Sequence, residues 1–466
     1  MKKHGISKLI YIVSGIAAAI LIVVLLPDIF SIQAKVALGV IILMLFWWVT
    51  RPVHIAVTAL LPLAVNSVFE MIPMNNMLGD YFNPIVLLIF GASVLTAAWT
   101  IQGLDKRIAL KSLSGLGMNV NIQIILFFLI SLVMSAFMPN MVVVTALCPI
   151  AYSMVEYSGA GTDSKTSFSL LLSIAWGAGL GGFATPMGGA MNLVAISALE
   201  EYSGSEFLYW RWVTNAVPYI LILAAVTLIF MVLVKKDSKV IPGSRQFYRE
   251  QLVSLGKTKR GEIYALVLFI LAVVLAFARP LYSAILPGLT PPYIFLIIGL
   301  FAFFLRSGKG KALIGWKQAS QMVNWGLIIL FAGGIALGGL IVDTGAAGVM
   351  ADLVAGSGNA ALLPLIAMTV ALGMFLANTS SNTAACAITI PLVVTICTGL
   401  AIDPILPVFI TAAACNSAYT LPTSIRAVPV GYGLDISYMF RKGLAANLLA
   451  YVTLVISGYI AYVVFV

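Results

Sequence analysis

Long, continuous apolar runs separated by short polar or basic segments dominate this chain. The first runs cover residues 9–26, 36–49, 53–68 and 84–101. A bilayer core of about 30 Å is crossed by roughly 20 apolar residues in a helix, whereas a membrane barrel uses strands of about ten residues with alternating character. The pattern therefore predicts an all-α integral membrane protein with about eleven transmembrane helices.

Four of the apolar runs are interrupted in the middle by a short polar break. The breaks lie at residues 138–141, 181–186, 378–383 and 416–426. In the first break, Pro149 follows nine residues after Asn140, and the third break repeats this spacing. Broken helices at matching positions of two halves indicate the binding site of a secondary transporter. An odd number of spans between the halves predicts that the repeats are inverted.

Composition supports a lipid environment and narrows the function. Of 466 residues, 61% are hydrophobic and 9% are charged, whereas a soluble domain carries about 25% charged residues. The net charge of +10 reflects basic loops such as 235–260, which the positive-inside rule places in the cytoplasm and which do not indicate nucleic acid binding. The four Cys and two His form no catalytic or metal cluster along the sequence, so a membrane-embedded enzyme is disfavoured. A channel is disfavoured by the matched breaks.

The four breaks offer Asn, Thr, Ser, Gly and Pro, while the acidic residues lie at span ends and in loops. Amide and hydroxyl groups, together with the unpaired N–H groups at the start of a half-helix, suit an anion. Two facing breaks are therefore suited to the two ends of a dicarboxylate. The alternative is that the hydroxyls bond to helix carbonyls and that Gly and Pro only set kinks.

Several segments together resemble the divalent anion/sodium symporter family of citrate, dicarboxylate and sulfate carriers. The third break, Ser381-Asn382-Thr383, followed by Pro391, is similar to the Ser-Asn-Thr signature of that family. Further segments agree in order along the chain: Trp47-Trp48, Thr58 to Pro62, Leu104 to Ala109, and Ala184-Thr185-Pro186 continuing to Asn192. The resemblance covers residues 47–443, nearly the whole chain.

The resemblance implies eleven spans, two re-entrant hairpins, a scaffold that dimerises and a transport domain that moves as an elevator. It divides the chain into scaffold helices of the first repeat at 1–121, a transport part with the first hairpin at 122–234, a basic cytoplasmic or interfacial linker at 235–261, scaffold helices of the second repeat at 262–361, and a transport part with the second hairpin at 362–466. The expected location is the bacterial inner membrane, and the expected assembly is a homodimer.

The resemblance also implies two groups of binding residues. The substrate group is Asn140, Thr185, Pro186, Ser381, Asn382, Thr383, Pro422, Thr423 and Arg426. The sodium group is Ser135, Asn140, Ala184, Ser380 and Asn382. Sodium is the one possible cofactor, and the partners are a small carboxylate anion and the lipid membrane.

Two departures from the family pattern bear on sodium. The first hairpin tip reads Pro139-Asn140-Met141 in place of Ser-Asn-Thr and so lacks two hydroxyls. Arg426 stands where the family has Asn. A buried guanidinium either faces the site, where it binds a carboxylate bidentately or supplies the positive charge that sodium otherwise supplies, or it reaches an interface with its charged end.

These features predict a secondary transporter of di- or tricarboxylates such as malate, succinate or 2-oxoglutarate. A fixed cation in place of a mobile one favours exchange of one anion for another, with weak or no sodium dependence. The alternative is a sodium-coupled symporter of dicarboxylate or sulfate, in which backbone carbonyls compensate for the missing hydroxyls.

Overall fold

The computed structural model describes residues 2–114, 117–307, 310–346, 349, 362–400 and 402–465, which form helices and contain no β-strand. The helices up to the linker are α1 (Lys2–Leu25), α2 (Ile32–Thr50), α3 (Ile55–Thr58), α4 (Leu61–Phe69), α5 (Met74–Tyr81), α6 (Pro84–Gln102), α7 (Leu104–Leu113), α8 (Val120–Ser135), α9 (Asn140–Tyr157), α10 (Lys165–Gly181), α11 (Ala190–Ser203) and α12 (Tyr209–Leu233). The linker contains α13 (Ser244–Ser254).

The second half is also helical. Its helices are α14 (Arg260–Phe277), α15 (Arg279–Tyr282), α16 (Pro291–Phe304), α17 (Trp316–Met322), α18 (Trp325–Asp343), α19 (Leu362–Thr379), α20 (Asn382–Gly399), α21 (Ile405–Asn416), a 3₁₀ turn (Ser424–Arg426), α22 (Ala427–Gly431) and α23 (Ile436–Phe465). This confirms the all-α fold class.

Several helices suit a lipid environment. Within the described residues, seven helices are long and apolar enough to cross a membrane, and further apolar helices are shorter. Large apolar side chains are exposed along them, for example Leu221, Ile229 and Leu233 on α12, because lipid replaces water around such a surface. The predicted number of eleven crossings stays a prediction.

Two pairs of consecutive helices meet at the predicted breaks. α8 ends at Ser135 and α9 begins at Asn140, while α19 ends at Thr379 and α20 begins at Asn382. Ser381 caps α20, since its hydroxyl accepts a hydrogen bond of 3.2 Å from the backbone N–H of Ala384. These breaks are the places where re-entrant hairpins are predicted.

Close helix packing sets the position of α10 against α8. A side chain on Gly177 would overlap the backbone of Phe128, and one on Gly181 would overlap the backbone of Leu132. Small residues four apart let two helix backbones approach closely, as is common in membrane proteins. The carboxyl end of α10 is therefore held beside the end of α8, where the first break begins.

The basic linker is packed onto the protein. Phe247 and Tyr248 on α13 are buried, and the Tyr248 hydroxyl donates a hydrogen bond of 2.7 Å to the side-chain oxygen of Gln123 on α8. Nearby, Arg107 on α7 pairs with the carboxylate of Glu262 on α14. The linker helix α13 is therefore in direct contact with the start of α8.

Candidate functional site

The first two breaks meet at Asn140. The Ser135 hydroxyl, at the end of α8, donates a hydrogen bond of 2.8 Å to the side-chain oxygen of Asn140. Asn140 is half-buried at the start of α9. Gly182, just after α10, faces the same side chain so closely that any side chain at Gly182 would overlap it. Two of the predicted sodium ligands therefore lie in contact.

Thr185 fastens the second break to the first. Its buried hydroxyl donates to the backbone carbonyl of Ala136 and accepts from the backbone N–H groups of Met187 at 3.3 Å and Gly188 at 3.2 Å. The adjoining predicted residues are also in this turn, Pro186 buried and Ala184 half-buried. The hydroxyl is thus engaged within the protein and shapes the turn.

Asn192 holds the same turn from the other side. Its amide nitrogen donates to the carbonyl oxygens of Gly182 at 2.6 Å and Thr185 at 2.7 Å. Its side-chain oxygen is buried and has no hydrogen-bond partner. A buried acceptor without a partner is uncommon and fits a bound cation or water.

Backbone oxygens converge beside Gly188. A β-carbon built on this glycine would lie 2.7 Å from the carbonyl oxygen of Ser135, 2.8 Å from that of Gly182 and 3.0 Å from that of Ala136. We call these three oxygens the carbonyl cluster. Unwound carbonyls at helix breaks are typical ligands of sodium in transporters. With the free oxygen of Asn192 nearby, the residues present fit a sodium ion.

The last two breaks are tied together by Asn378. Its side-chain oxygen accepts from the Thr420 hydroxyl at 2.6 Å and from the backbone N–H of Tyr419 at 3.1 Å. Its backbone oxygen accepts from the hydroxyl of Thr423 at 2.8 Å. These hydrogen bonds hold the third break in contact with the fourth break.

Around Asn378 lie the remaining predicted residues of the second half. Asn382 is buried and donates to the side-chain oxygen of Asn416 at 3.3 Å. Ser380 is turned back to the carbonyl of Leu376 at 2.6 Å. Half-buried positions at the same place are Ser381, Thr383, Pro422 and Thr423.

Arg426 is fully enclosed, with 1% of its surface exposed. Its side chain donates to the carbonyl oxygens of Ala377 at 2.7 Å, Ala418 at 3.1 Å and Leu421 at 2.9 Å. It also donates to the hydroxyl of Thr423 at 2.6 Å and to the side-chain oxygen of Asn382 at 3.5 Å. In the described part of the chain, no carboxylate lies within 4.0 Å of it.

These contacts distinguish the interpretations of Arg426. The idea that its charged end reaches a membrane interface is wrong, because the side chain is enclosed. A guanidinium has five N–H donors, and this guanidinium donates five hydrogen bonds to protein oxygens. The contacts therefore favour the role of a positive charge within the site over bidentate binding of a substrate carboxylate.

The carboxyl end of α10 joins the two pairs of breaks. Gly182 adjoins Asn140 of the first pair, and a β-carbon on Gly179 would lie 3.3 Å from the backbone oxygen of Asn416 in the second pair. Asn416 in turn bonds to Asn382. All four predicted breaks thus lie around one end of one helix.

Three asparagines of this region were absent from the predicted site residues. Asn192, Asn378 and Asn416 each bond across a break. The segment that resembles the family continues to Asn192, and the third break begins at Asn378. The sequence therefore already pointed to both positions. Asn416 stands at the fourth break, but its partner Asn382 is distant in sequence.

Two cavities lie away from these residues. One of about 250 Å³ is lined by α11, α18 and α20, and its nearest approach in sequence to the third break is Pro391. Another of about 510 Å³ lies between Tyr152 on α9 and Tyr432 after α22. The predicted site residues line neither cavity, so the assignment of the site depends on the breaks.

A helical membrane protein with two matched pairs of broken helices that meet around Asn and Thr side chains has the architecture of a secondary transporter. The chain matches the model of the citrate transporter family over residues 45–415, and it belongs to that family. It is a transporter, and not an enzyme.

Relatives that are named as dicarboxylate transporters support this assignment. The chain is 27% identical over 482 residues to the sodium-dependent dicarboxylate transporter SdcS of Staphylococcus saprophyticus, covering 98% of this chain and 92% of the relative. It is 25% identical over 432 residues to SdcS of Staphylococcus aureus, covering 89% and 83%. These matches confirm the resemblance to divalent anion/sodium symporters.

Two solved structures share the fold. The antimetabolite efflux pump MtrF of Neisseria gonorrhoeae gives a TM-score of 0.56 at 12% identity, covering 94% of this chain and 96% of that one. The YdaH transporter of Alcanivorax borkumensis gives 0.53 at 10% identity, covering 83% and 87%. At such low identity the likeness concerns the fold alone.

Proposed function

We propose that this protein carries small dicarboxylates, such as succinate or malate, across the bacterial cell membrane with the help of sodium. One observation carries the proposal: α9 and α20 both begin at an asparagine in a helix break, the half-buried Asn140 and the buried Asn382. The first N–H groups of a helix are unpaired and carry about half a positive charge. Two such ends suit the two carboxylates of one substrate.

Sodium has a suitable position in the first pair of breaks. The carbonyl cluster beside Gly188, with Ser135, Asn140 and the free oxygen of Asn192, supplies only neutral oxygens. A hard cation prefers oxygen ligands, and a bound sodium would add positive charge where substrate carboxylates are expected. The relatives named as sodium-dependent dicarboxylate transporters support this reading over the absence of sodium coupling.

The moving part of the cycle is proposed to be the transport domain, residues 122–234 and 362–466. Contacts across α10 support its movement as one body, since Gly179 adjoins Asn416 and Gly182 adjoins Asn140. We propose that it moves as an elevator against a scaffold that forms the contact between two copies in a homodimer.

Exchange of anions is a second candidate, and Arg426 favours it. A positive charge enclosed in the second pair of breaks stays in the site after the substrate leaves. With one sodium ion and a dicarboxylate bound the site is neutral, whereas the empty site keeps this charge and is harder to move through the membrane. Exchange of one dicarboxylate for another is therefore expected to be fast.

The experiment uses purified protein in liposomes and labelled succinate. Uptake is measured with an inward sodium gradient or with choline, into vesicles that are empty or loaded with unlabelled succinate. Sodium-dependent uptake into empty vesicles is expected, with sulfate, citrate and 2-oxoglutarate tested as competitors. Uptake that ignores sodium and requires internal succinate would replace the proposal with pure exchange, and no uptake of any of these anions would contradict both.

A further inference from the structure

We propose that the guanidinium of Arg426 takes the place of a second bound cation, so that the second pair of breaks binds no sodium. The inference deepens the proposed function and rests on it for the sodium in the first pair. It assigns a different source of positive charge to each half of the site.

The two halves present comparable sets of oxygens. In the first, the carbonyls of Ser135 and Ala136, shortly before Asn140, converge with that of Gly182 beside Gly188. In the second, the carbonyl of Ala377, shortly before Asn382, converges with carbonyls from the fourth break. The first set lies beside a glycine, whereas the second set surrounds a guanidinium.

The chemistry around Arg426 is that of a cation site. A buried arginine is normally paired with a carboxylate because an unpaired charge is costly to bury. Here neutral oxygens surround it, from Ala377, Ala418, Leu421 and Thr423. Neutral carbonyl and hydroxyl oxygens are also the ligands that hold sodium at helix breaks in transporters. The guanidinium itself lies among these oxygens and takes the position that an ion would need.

The position also explains how the charge reaches the substrate. The guanidinium lies 3.5 Å from the side-chain oxygen of Asn382, at the start of α20. It therefore adds a permanent positive charge beside the helix end that is proposed to meet a carboxylate. It also holds Thr423 against Ala377, which keeps the third and fourth breaks together without an ion.

The test counts sodium ions by linkage. The unfolding free energy of detergent-purified protein is followed against sodium concentration, with choline keeping the ionic strength constant and no substrate present. Sodium that binds only the folded state raises the unfolding free energy. Once the sites are saturated, the slope of that free energy against the logarithm of sodium concentration is proportional to the number of ions bound. The slope for Arg426→Ala is expected to correspond to one more sodium ion than the slope for the unchanged protein. If the unchanged protein binds one sodium ion, the slope for the variant is twice as steep.

Arg279 provides a matched control. It is buried and donates to the carbonyls of Leu286 at 2.9 Å and Pro287 at 2.7 Å, but it pairs with Glu206 away from the breaks. Arg279→Ala should lower stability with no change in slope. Arg426→Lys keeps a positive charge and should also keep the original slope. Equal slopes for Arg426→Ala and the unchanged protein would overturn the inference.

A second measurement covers the case in which Arg426→Ala does not fold. Amide hydrogen exchange of the unchanged protein is compared in sodium and in choline. Sodium should protect residues 135–140 and 182–192 and leave 377–382 and 416–426 unaffected. Protection of the latter ranges would overturn the inference. Because neither readout uses transport, a failure of the proposed substrate would appear separately, in the liposome assay.

Discussion

Replacing Gly188 with alanine tests the proposed sodium position directly. The added methyl group would lie 2.7 Å from the carbonyl oxygen of Ser135 and 2.8 Å from that of Gly182. Both distances are shorter than van der Waals contact, so the carbonyl cluster has to open. Forcing an extra methyl into a packed position costs about 1–3 kcal/mol. If this strain falls on the sodium-bound state, sodium binds roughly 5- to 150-fold more weakly.

The assay measures the sodium concentration that gives half-maximal succinate uptake into liposomes at saturating succinate. Gly188→Ala should raise that concentration by at least several-fold. The matched control is Gly334→Ala, because a β-carbon there would meet only the Ala387 side chain at an ordinary 3.7 Å. Unfolding in choline, measured on both variants, separates a loss of folding from a loss of sodium binding.

An unchanged sodium dependence in active Gly188→Ala would refute the reasoning. It would mean that the oxygens of Ser135, Ala136 and Gly182 do not hold the ion. A comparable weakening in Gly334→Ala would contradict it as well, since that position is outside the carbonyl cluster.

The remaining predictions concern the breaks and the packing around them. Asn140→Ala and Asn382→Ala should each weaken succinate binding roughly 10- to 100-fold, because hydrogen bonds to charged groups contribute about 1.5–3 kcal/mol; normal binding with intact folding would remove that residue from the site. Thr185→Val removes the hydroxyl that joins three backbone groups of the turn and should reduce uptake more than folding, as compared by vesicle flux and thermal unfolding. Gly181→Ala should cost about 1–3 kcal/mol of stability by separating α8 from α10, and a denaturation midpoint equal to that of the unchanged protein would contradict this packing.

The helix breaks could be predicted from the sequence because their causes are local. Pro139 precedes the first residue of α9, and Ser381 caps α20 with its own hydroxyl. Both effects act within one helical turn. The run at 53–68 is divided into α3 and α4, with Pro62 in the first turn of α4, and this division was not predicted.

The surroundings of Arg426 could not be predicted from the sequence in the same way. Two of its oxygen partners, Ala377 and Asn382, lie more than forty residues earlier in the chain, and which carbonyls face inward depends on how the breaks pack. The sequence therefore raised the question of where the charge points, and left both answers open. The same reason applies to Asn416, whose contact with Asn382 has no local signal.

The charges proposed for the two halves bear on whether the protein exchanges anions or accumulates them. One sodium ion and the Arg426 guanidinium together match the two negative charges of a dicarboxylate. After sodium and substrate leave, the enclosed guanidinium gives the empty site a net positive charge. Moving one charge outward against the membrane potential costs about 2.3 kcal/mol per 100 mV. The empty return is therefore expected to be slower than the loaded return, so that sodium dependence and fast exchange are two properties of one cycle.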